Sequence, residues 1–365
     1  DDGLARAAEA IAALAEATER RRAHDDPGER AALERAVAAR PDWPEGWHFL
    51  GRRLLLLQQH ADALAHLDRA VALGPSPWAL EDRARARLGL NDLVGAVEDL
   101  GRCLEMIPDA HGLRVERAQV LQQTGAADLA LAELDECLRR APEHPGALTL
   151  RGRIRLTRGD AAGGIADLEQ ATRAGRDPLP WYLLAQARES IGDDRGALEA
   201  LDGAAAAGGA RDLHHLRAEV LLRRGDVDGA LRALDQAVAE VPTEPDPLLR
   251  RARLLLLAGG DPARAAADAA RALEVRGRTV TVLALVLRSE ARLRQGDAEE
   301  ALADADAAVT IAPAEPEARL ARGLAWAALG NLPAAADDLR RFLAGAPPDH
   351  PRAAEARALL ARLAR

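Results

Sequence analysis

The chain has 365 residues and a formal net charge of -9, and 48% of its residues are hydrophobic while only 2% are aromatic. Alanine and leucine dominate and β-branched residues are sparse, which favours an all-α fold with a core of small side chains. All 49 basic residues are arginine, which excludes lysine-dependent phosphate loops and Schiff-base chemistry. The acidic balance argues against nucleic acid as the main partner, and no apolar run approaches the roughly 20 residues of a membrane-spanning helix.

Residues 1–43 are predicted to form N-terminal helices, including one degenerate copy of the repeat that follows. Leu33 and Ala36 are in phase with that repeat and precede Pro41, although Glu29 occupies a position where the repeat has a small residue. Since the first residue is Asp1, we expect the chain to be a fragment of a longer protein rather than a complete mature chain.

A repeat organises residues 44–349. A small residue just after a turn recurs every 33 to 36 residues, at Ala63, Ala96, Ala130, Gly164, Ala197, Ala230, Ala265, Ala301 and Ala335. A second small residue lies 12 or 13 positions earlier, at Gly51, Ala84, Ala118, Gly152, Ala185, Ala218, Ala252, Ser289 and Gly323. Proline ends most of the units. Two helices approach closely only where both present small side chains, so each unit is predicted to be a tight helix pair.

This period and the pattern "WHFLGRRL" followed by "ADALAHLDRAVALGP" resemble the tetratricopeptide repeat family. The resemblance covers nine units in residues 44–349 and implies a right-handed α-solenoid of antiparallel helix pairs. Residues 350–365, which include the amphipathic stretch "RAAEARALLARLAR", are predicted to form a capping helix. We expect the three segments to form one continuous domain.

The tripeptide Arg224-Gly225-Asp226, repeated at Arg158-Gly159-Asp160, has the composition of an adhesion ligand. Both copies fall between the two helices of a unit, where Gly supplies left-handed dihedrals and Asp caps the second helix. We interpret them as turns, together with the equivalent glycines Gly125, Gly192, Gly260, Gly296 and Gly330.

The seventh position of the unit carries an unusual residue for the family. Where the family usually has Leu, seven units carry Arg83, Arg117, Arg151, Arg217, Arg251, Arg288 and Arg322. Six of these have a carboxylate 16 or 17 residues later, namely Asp99, Glu133, Asp167, Asp268, Asp304 and Asp338, whereas the units with Leu50 and Leu184 have none there. This co-occurrence predicts an arginine–carboxylate pair between the two helices.

No constellation in the sequence predicts catalysis, a metal site or a cofactor. Cys103 and Cys137 are equivalent positions of adjacent units and are interpreted as buried small residues rather than a disulfide. The nine histidines lack zinc-ligand spacing, and no serine lies in a nucleophile motif. The protein is therefore predicted not to be an enzyme.

Family resemblance implies that positions two, five, nine and twelve of each first helix face a concave peptide groove. The residues predicted to line it are His48, Arg52, Trp78, Glu81, Arg85, Gln119, Gln122, Thr149, Arg153, Tyr182, Gln186, His215, Glu219, Arg253 and Glu290. The arginines from Arg52 to Arg153 predict an acidic or C-terminal peptide as ligand, because guanidinium groups bind carboxylates in a bidentate manner. A solvated face without a dedicated ligand is the alternative. The family's lysine–asparagine carboxylate clamp and its asparagine ladder have no counterpart here.

The sequence thus predicts a non-catalytic bacterial scaffold that binds a protein segment, with a cytoplasmic location. Two alternatives stay open: a repeat arm of a larger enzyme such as a protein kinase, protease or glycosyltransferase, and a cell-envelope assembly scaffold. The identity of the partner and the oligomeric state do not follow from the sequence.

Overall fold

The computed structural model describes residues 2–209, 213–274, 277–347 and 349–363. Every regular element in these ranges is an α-helix, and the chain divides into two compact units, residues 1–187 and 188–365. The names first unit and second unit refer to these two parts of the chain, whereas a unit without a number is one helix-pair repeat. The predicted all-α fold of consecutive helix pairs is confirmed within each unit. The treatment of the three segments as one continuous domain stays a prediction.

The helices of the first unit are α1 (Asp2–Arg22), α2 (Asp26–Ala39), α3 (Pro44–Leu56), α4 (His60–Leu73), α5 (Pro77–Gly89), α6 (Leu93–Met106), α7 (His111–Gln123), α8 (Ala127–Arg140), α9 (Pro145–Thr157) and α10 (Ala161–Ala174). Helix α11 (Pro178–Ser190) begins in this unit and ends just beyond its last residue. From α3 onward, odd-numbered helices are the first helices of a pair and even-numbered ones the second.

The remaining helices are α12 (Asp194–Ala206), α13 (Leu213–Arg223), α14 (Val227–Glu240), α15 (Pro245–Leu257), α16 (Pro262–Ala272), α17 (Arg278–Gln295), α18 (Ala298–Ile311), α19 (Pro316–Ala328), α20 (Leu332–Gly345) and α21 (Ala353–Leu363). Helix α21 lies in the segment 350–365 that was predicted to form the capping helix. Residues 364 and 365 of that segment lie outside the described ranges. Within the described ranges no helix has both the length and the apolarity needed to span a bilayer.

The two Arg-Gly-Asp tripeptides are turns, as predicted. Gly225 has φ 76° and Gly159 has φ 85°, which is the left-handed region that glycine adopts without strain. Asp226 then caps α14 by accepting a hydrogen bond from the backbone N–H of Gly229 at 2.8 Å, and Asp160 caps α10 in the same way.

The prediction was wrong for one of the turn glycines. Between α15 and α16 the left-handed residue is Gly259 (φ 69°) and not Gly260. The cause is one extra residue in this turn: Pro262 begins α16 and Asp261 is its cap, so the glycine that ends α15 lies one position further upstream than in the other units.

In the four repeats that have glycine or serine at the first small position, the two small positions meet where the paired helices cross. A Cβ on Gly152 would lie 3.1 Å from the backbone oxygen of Gly164, and a Cβ on Gly164 would lie 2.9 Å from that of Gly152. In the unit that has serine instead, the Ser289 hydroxyl donates to the Ala301 carbonyl at 2.8 Å. The predicted close approach of the paired helices therefore occurs in backbone contact, which larger side chains would prevent.

All six predicted arginine–carboxylate pairs form. The Arg251 guanidinium donates from Nε and Nη2 to the two oxygens of Asp268 at 2.8 and 2.7 Å, and both side chains are buried. The same two-pronged contact joins Arg83 to Asp99, Arg151 to Asp167, Arg288 to Asp304 and Arg322 to Asp338, and Arg117 binds Glu133 through one nitrogen.

The structure adds a second acceptor that the sequence analysis missed. The remaining guanidinium nitrogen often reaches an aspartate on the second helix of the preceding unit. These contacts join Arg83 to Asp68, Arg151 to Asp135, Arg217 to Asp202, Arg251 to Asp235 and Arg322 to Asp306. Four of these five arginines therefore link three helices of two successive repeats, and Arg217 links two helices, which ties these repeats to their neighbours.

Cys103 and Cys137 are free and buried, as predicted. Burial raises the pKa of the Cys103 thiol to about 11 and also raises that of Cys137. Both cysteines are therefore protonated packing residues at neutral pH.

Candidate functional site

The predicted groove residues of the first unit lie on the first helices α3, α5, α7, α9 and α11. Arg52, Arg85, Gln119 and Arg153 occupy equivalent positions on the first four of these helices, and all four are exposed. Side chains bridge adjacent first helices along this surface: His48 of α3 contacts Asp82 of α5, and Arg153 of α9 donates to the amide oxygen of Gln122 of α7 at 3.1 Å. These residues form one inner face.

A pocket of about 400 Å³ opens between α3 and α5. Its walls include Phe49 and the indole of Trp78, which is 66% exposed, and Arg52 lies at its edge. Trp78, whose position in the repeat predicted a place near the groove, lines this pocket. An exposed aromatic wall beside a guanidinium group suits an apolar side chain next to a carboxylate.

His48 also lines this pocket, but most of its side chain is buried. It is only 8% exposed, and its Nε2 lies 2.9 Å from the Asp82 carboxylate. Burial opposes ionisation of Asp82, but the hydrogen bond from His48 and the nearby arginines outweigh burial and lower the pKa of this carboxyl below its usual value. His48 is a support for the pocket floor.

Arg85 is already neutralised by its own helix. Its guanidinium donates to Glu81 and, at 3.0 Å, to Asp82. Glu116 of α7 is a further carboxyl close to it, and burial raises the pKa of Glu116. Of the three arginines predicted to hold an acidic ligand, Arg85 is therefore the one that offers least free positive charge.

Arg52 and Arg153 differ from Arg85 in this respect. Neither guanidinium has a carboxylate of the described residues within 4.0 Å, and the hydrogen bond from Arg153 to Gln122 has a neutral acceptor. A second pocket, of about 430 Å³, lies at Arg153 and is lined by Gln119, Thr149 and Leu179. Two pockets with unpaired guanidinium groups therefore stand on either side of the neutralised Arg85.

The next predicted groove residues on this face are Tyr182 and Gln186 on α11. The Gln186 amide donates to the Tyr182 hydroxyl at 3.2 Å. The two side chains present neutral polar groups beyond the pocket at Arg153.

In the second unit the four predicted groove residues have different surroundings. His215 lies 3.6 Å from Asp246, and Glu219 accepts from Arg250 at 2.7 Å. Glu290 accepts from Arg294 and from Arg352, both at 2.9 Å. Arg253 is exposed, with no carboxylate of the described part of the chain within 4.0 Å. Of these four residues, Glu290 is the one whose negative charge is most fully paired with arginines of the protein itself.

The sequence analysis missed Phe49, which lines the pocket between α3 and α5, and Asp82, which holds the pocket residue His48. Phe49 occupies the sixth position and Asp82 the sixth position of the next unit, and neither is among the positions that the family pattern assigns to the groove. Asp82 had a usable signal, because it precedes Arg85 by three residues on a helix and therefore shares its face.

Three protein-family models, each described as a tetratricopeptide repeat, match parts of the chain. One matches residues 287–363, a second matches residues 211–254, and a third matches residues 115–178 and 249–316. Together these matches cover well over half of the chain.

A curated relative, the cytochrome c-type biogenesis protein CycH of Pseudomonas aeruginosa, is 46% identical over 57 residues. That match covers 15% of this chain and 14% of the relative, so the chain spans only a small part of the relative's length.

Two solved structures illustrate the structural similarity. Pseudomonas aeruginosa pilF has a TM-score of 0.48 and 18% identity over 57% of this chain and 97% of that chain. A tetratricopeptide repeat protein from Parabacteroides merdae has a TM-score of 0.46 and 19% identity over 69% of this chain and 99% of that chain. Together with the recurring helix pairs, the family matches show that this chain belongs to the tetratricopeptide repeat family.

Proposed function

We propose that the protein is a non-catalytic interaction scaffold that binds an extended acidic segment of a partner protein on the inner face of its first unit. The segment docks between Arg52 and Arg153. The observation that carries this proposal is that these two exposed guanidinium groups each line an inner-face pocket and have no carboxylate of the described residues within 4.0 Å, whereas Arg85 between them is paired.

The pockets beside the two arginines set the spacing of such a ligand. Each pocket of about 400 to 430 Å³ accommodates one side chain, with the guanidinium at its edge. An extended segment spans about 3.3 Å per residue, so the separation of the two pockets determines how many residues lie between the acidic residues that bind Arg52 and Arg153. Arg85 between them offers no free positive charge, because Glu81 and Asp82 both pair with it.

The test is a pull-down from a lysate of the source organism, followed by mass spectrometry. The bait is either the native chain or the Arg52→Glu, Arg153→Glu variant. A matched control carries Arg69→Glu and Arg102→Glu, which make the same charge change at exposed positions of the second helices α4 and α6. We expect the inner-face variant to lose a partner that the native chain and the control retain, with circular dichroism confirming that all three are folded. Equal recovery by all three would contradict the proposal.

A second candidate function is a role in the biogenesis of c-type cytochromes. The match to the relative named for that process favours it, although it extends over only 57 residues. Haem staining of membrane fractions from a deletion strain tests this candidate, since loss of c-type cytochromes would support it and unchanged levels would contradict it.

We place the interaction scaffold in the cytoplasm. The sequence analysis kept a scaffold in the cell envelope as the alternative location. Fractionation of cells that produce the full-length gene product from its own promoter distinguishes the two locations.

A further inference from the structure

The second unit has an apolar pocket of its own between the first helices α17 and α19. Its volume is about 470 Å³, and its walls include Val282, Leu283 and Val286 of α17 and Pro313 of the loop before α19. Helix α17 has 18 residues where α15 and α19 have 13, and its extra first turn, with Arg278 and Thr279, forms one side of this pocket. Leu283 is 38% exposed at the pocket surface.

The rim of this pocket is acidic. Glu315 and Glu317 are among its lining residues, and Glu290 lies one helical turn beyond Val286 on the same face of α17. No basic group of the described residues lies within 4.0 Å of the Glu315 carboxylate. On the opposite side, the Arg278 guanidinium donates to the backbone oxygen of Ile311 at 2.6 Å.

Basic side chains from the segment before α21 occupy two of these three carboxylates. Arg352 donates from Nη1 to Glu290 at 2.9 Å across 62 residues of sequence, and His350 Nε2 lies 3.1 Å from Glu317. Both side chains are largely buried, with 24% and 15% exposed. Neither residue lines the apolar pocket itself. The acidic rim therefore already binds a guanidinium group, while the apolar pocket beside it is not filled by that segment.

Helix α21 does not depend on Arg352 for its attachment. Leu359, Leu360 and Leu363 pack against the cluster that contains Leu339 and Phe342 of α20. Displacement of the arginine would leave this apolar contact in place.

We propose that the pocket between α17 and α19 docks an apolar side chain from a partner segment in which an arginine is adjacent, and that Arg352 competes in cis for the acidic rim. The ligand is identified by charge complementarity, because Glu315, which has no basic partner among the described residues, and Glu317 lie beside an aliphatic pocket. Glu290, one helical turn away, is held by both Arg294 and Arg352. This site takes a basic segment, and it is separate from the acidic-segment site on the first unit.

The test measures fluorescence anisotropy of a fluorescein-labelled peptide amide, Gly-Ser-Arg-Leu-Leu-Arg-Ser-Gly, with the whole chain. We expect the Arg352→Ala variant to bind this peptide at least tenfold more tightly than the native chain does. Arg357→Ala is the control, because Arg357 is an exposed arginine of α21, the helix that begins just after Arg352, and it should bind like the native chain.

Two further arms test the pocket and the rim separately. In the Arg352→Ala background, Leu283→Asn should weaken binding by removing the apolar wall, and Glu290→Gln should weaken it by removing a rim carboxylate. A peptide with both arginines replaced by glutamate should not bind. The Arg52→Glu, Arg153→Glu variant should bind the basic peptide unchanged, which separates this site from the one on the first unit.

Three results would overturn the proposal: equal affinity of the native chain and Arg352→Ala, no saturable binding of the basic peptide to Arg352→Ala, or equal binding of the glutamate peptide.

Discussion

Arg251 and Asp268 form a buried, two-pronged ion pair between α15 and α16, with Nε and Nη2 at 2.8 and 2.7 Å from the two carboxylate oxygens. Hydrogen bonding to Asp268, opposed by burial and aided by Asp235, raises the pKa of Arg251 above its usual value. The third contact, to Asp235 at 3.0 Å, reaches the preceding unit. This arrangement recurs along the chain, so its energetics decide how firmly each repeat is held.

Breaking one side of this pair should be strongly destabilising. Arg251→Leu leaves the Asp268 carboxylate buried and unpaired, and we expect a loss of about 3–5 kcal/mol in the free energy of unfolding, measured by urea denaturation. Adding Asp268→Ala should restore most of that loss, because it reproduces the Leu184 and Ala200 combination that another unit already has. A double variant as unstable as the single one would contradict this.

Arg217→Leu is the matched control for that experiment. Of the carboxylates in the described ranges, only Asp202 of the preceding repeat lies within 4.0 Å of Arg217, and the Asp202 side chain is 69% exposed. The position in its own repeat that carries a carboxylate elsewhere is Ala233. We expect a change of at most about 1 kcal/mol in the free energy of unfolding, as for surface ion pairs. A cost equal to that of Arg251→Leu would show that burial of the carboxylate is not what matters.

The Arg-Gly-Asp turns should respond as helix caps. Asp226→Ala removes the oxygen that accepts from Gly229, and we expect it to lower the free energy of unfolding by about 1 kcal/mol. Asp226→Asn should retain most of the stability, because Asn331 caps α20 in the same way. Arg224→Ala should change little. Thermal denaturation by circular dichroism measures all three, and a larger loss for Arg224→Ala than for Asp226→Ala would contradict the turn interpretation.

The two cysteines should be unreactive until the chain unfolds. With a pKa of about 11, the Cys103 thiol at pH 8 is ionised roughly 100-fold less than an exposed thiol. We expect the reaction with a colourimetric disulfide reagent to be at least about 100-fold slower in the native chain than in urea. Rapid reaction of either thiol under native conditions would show that it is accessible.

His66 should make the fold sensitive to mild acid. Burial lowers its pKa in the folded state, and its ring stacks on Trp47 at 5.5 Å. A folded-state pKa below the unfolded value of about 6.5 stabilises the protein above that pH, and this contribution is lost as the pH falls through the folded pKa. Between pH 7 and pH 5, the native chain should therefore lose more stability than a His66→Phe variant, which keeps the stacked ring. Parallel urea titrations at the two pH values would refute this if both chains lost the same amount.

The repeat register explains why much of the fold was predictable. The six arginine–carboxylate pairs follow from positions 16 or 17 residues apart, because the register alone determines which side chains of a helix pair face each other. The second set of partners was also encoded, since Asp68, Asp135, Asp202, Asp235 and Asp306 all lie five residues after the small residue of the second helix. That regularity is visible once the contact is known.

The candidate site was less predictable, because register places a residue on a face but does not determine its partners. Arg52 and Arg85 are equivalent in the repeat, yet Glu81 and Asp82 neutralise only Arg85. The contact of Glu290 with Arg352 joins residues 62 positions apart through a long side chain, and no periodicity in the sequence indicates how far such a side chain reaches.

The most direct test of the proposed scaffold is site-specific photo-crosslinking with the partner recovered by pull-down. A benzophenone amino acid is placed at Gln119, which lines the pocket at Arg153 on the inner face, or at Arg102 on the second helix α6, where the side chain is also exposed. The account predicts a crosslink to the partner from Gln119 and none from Arg102. A crosslink from Arg102 and none from Gln119 would place the partner on another surface and contradict the inner-face site.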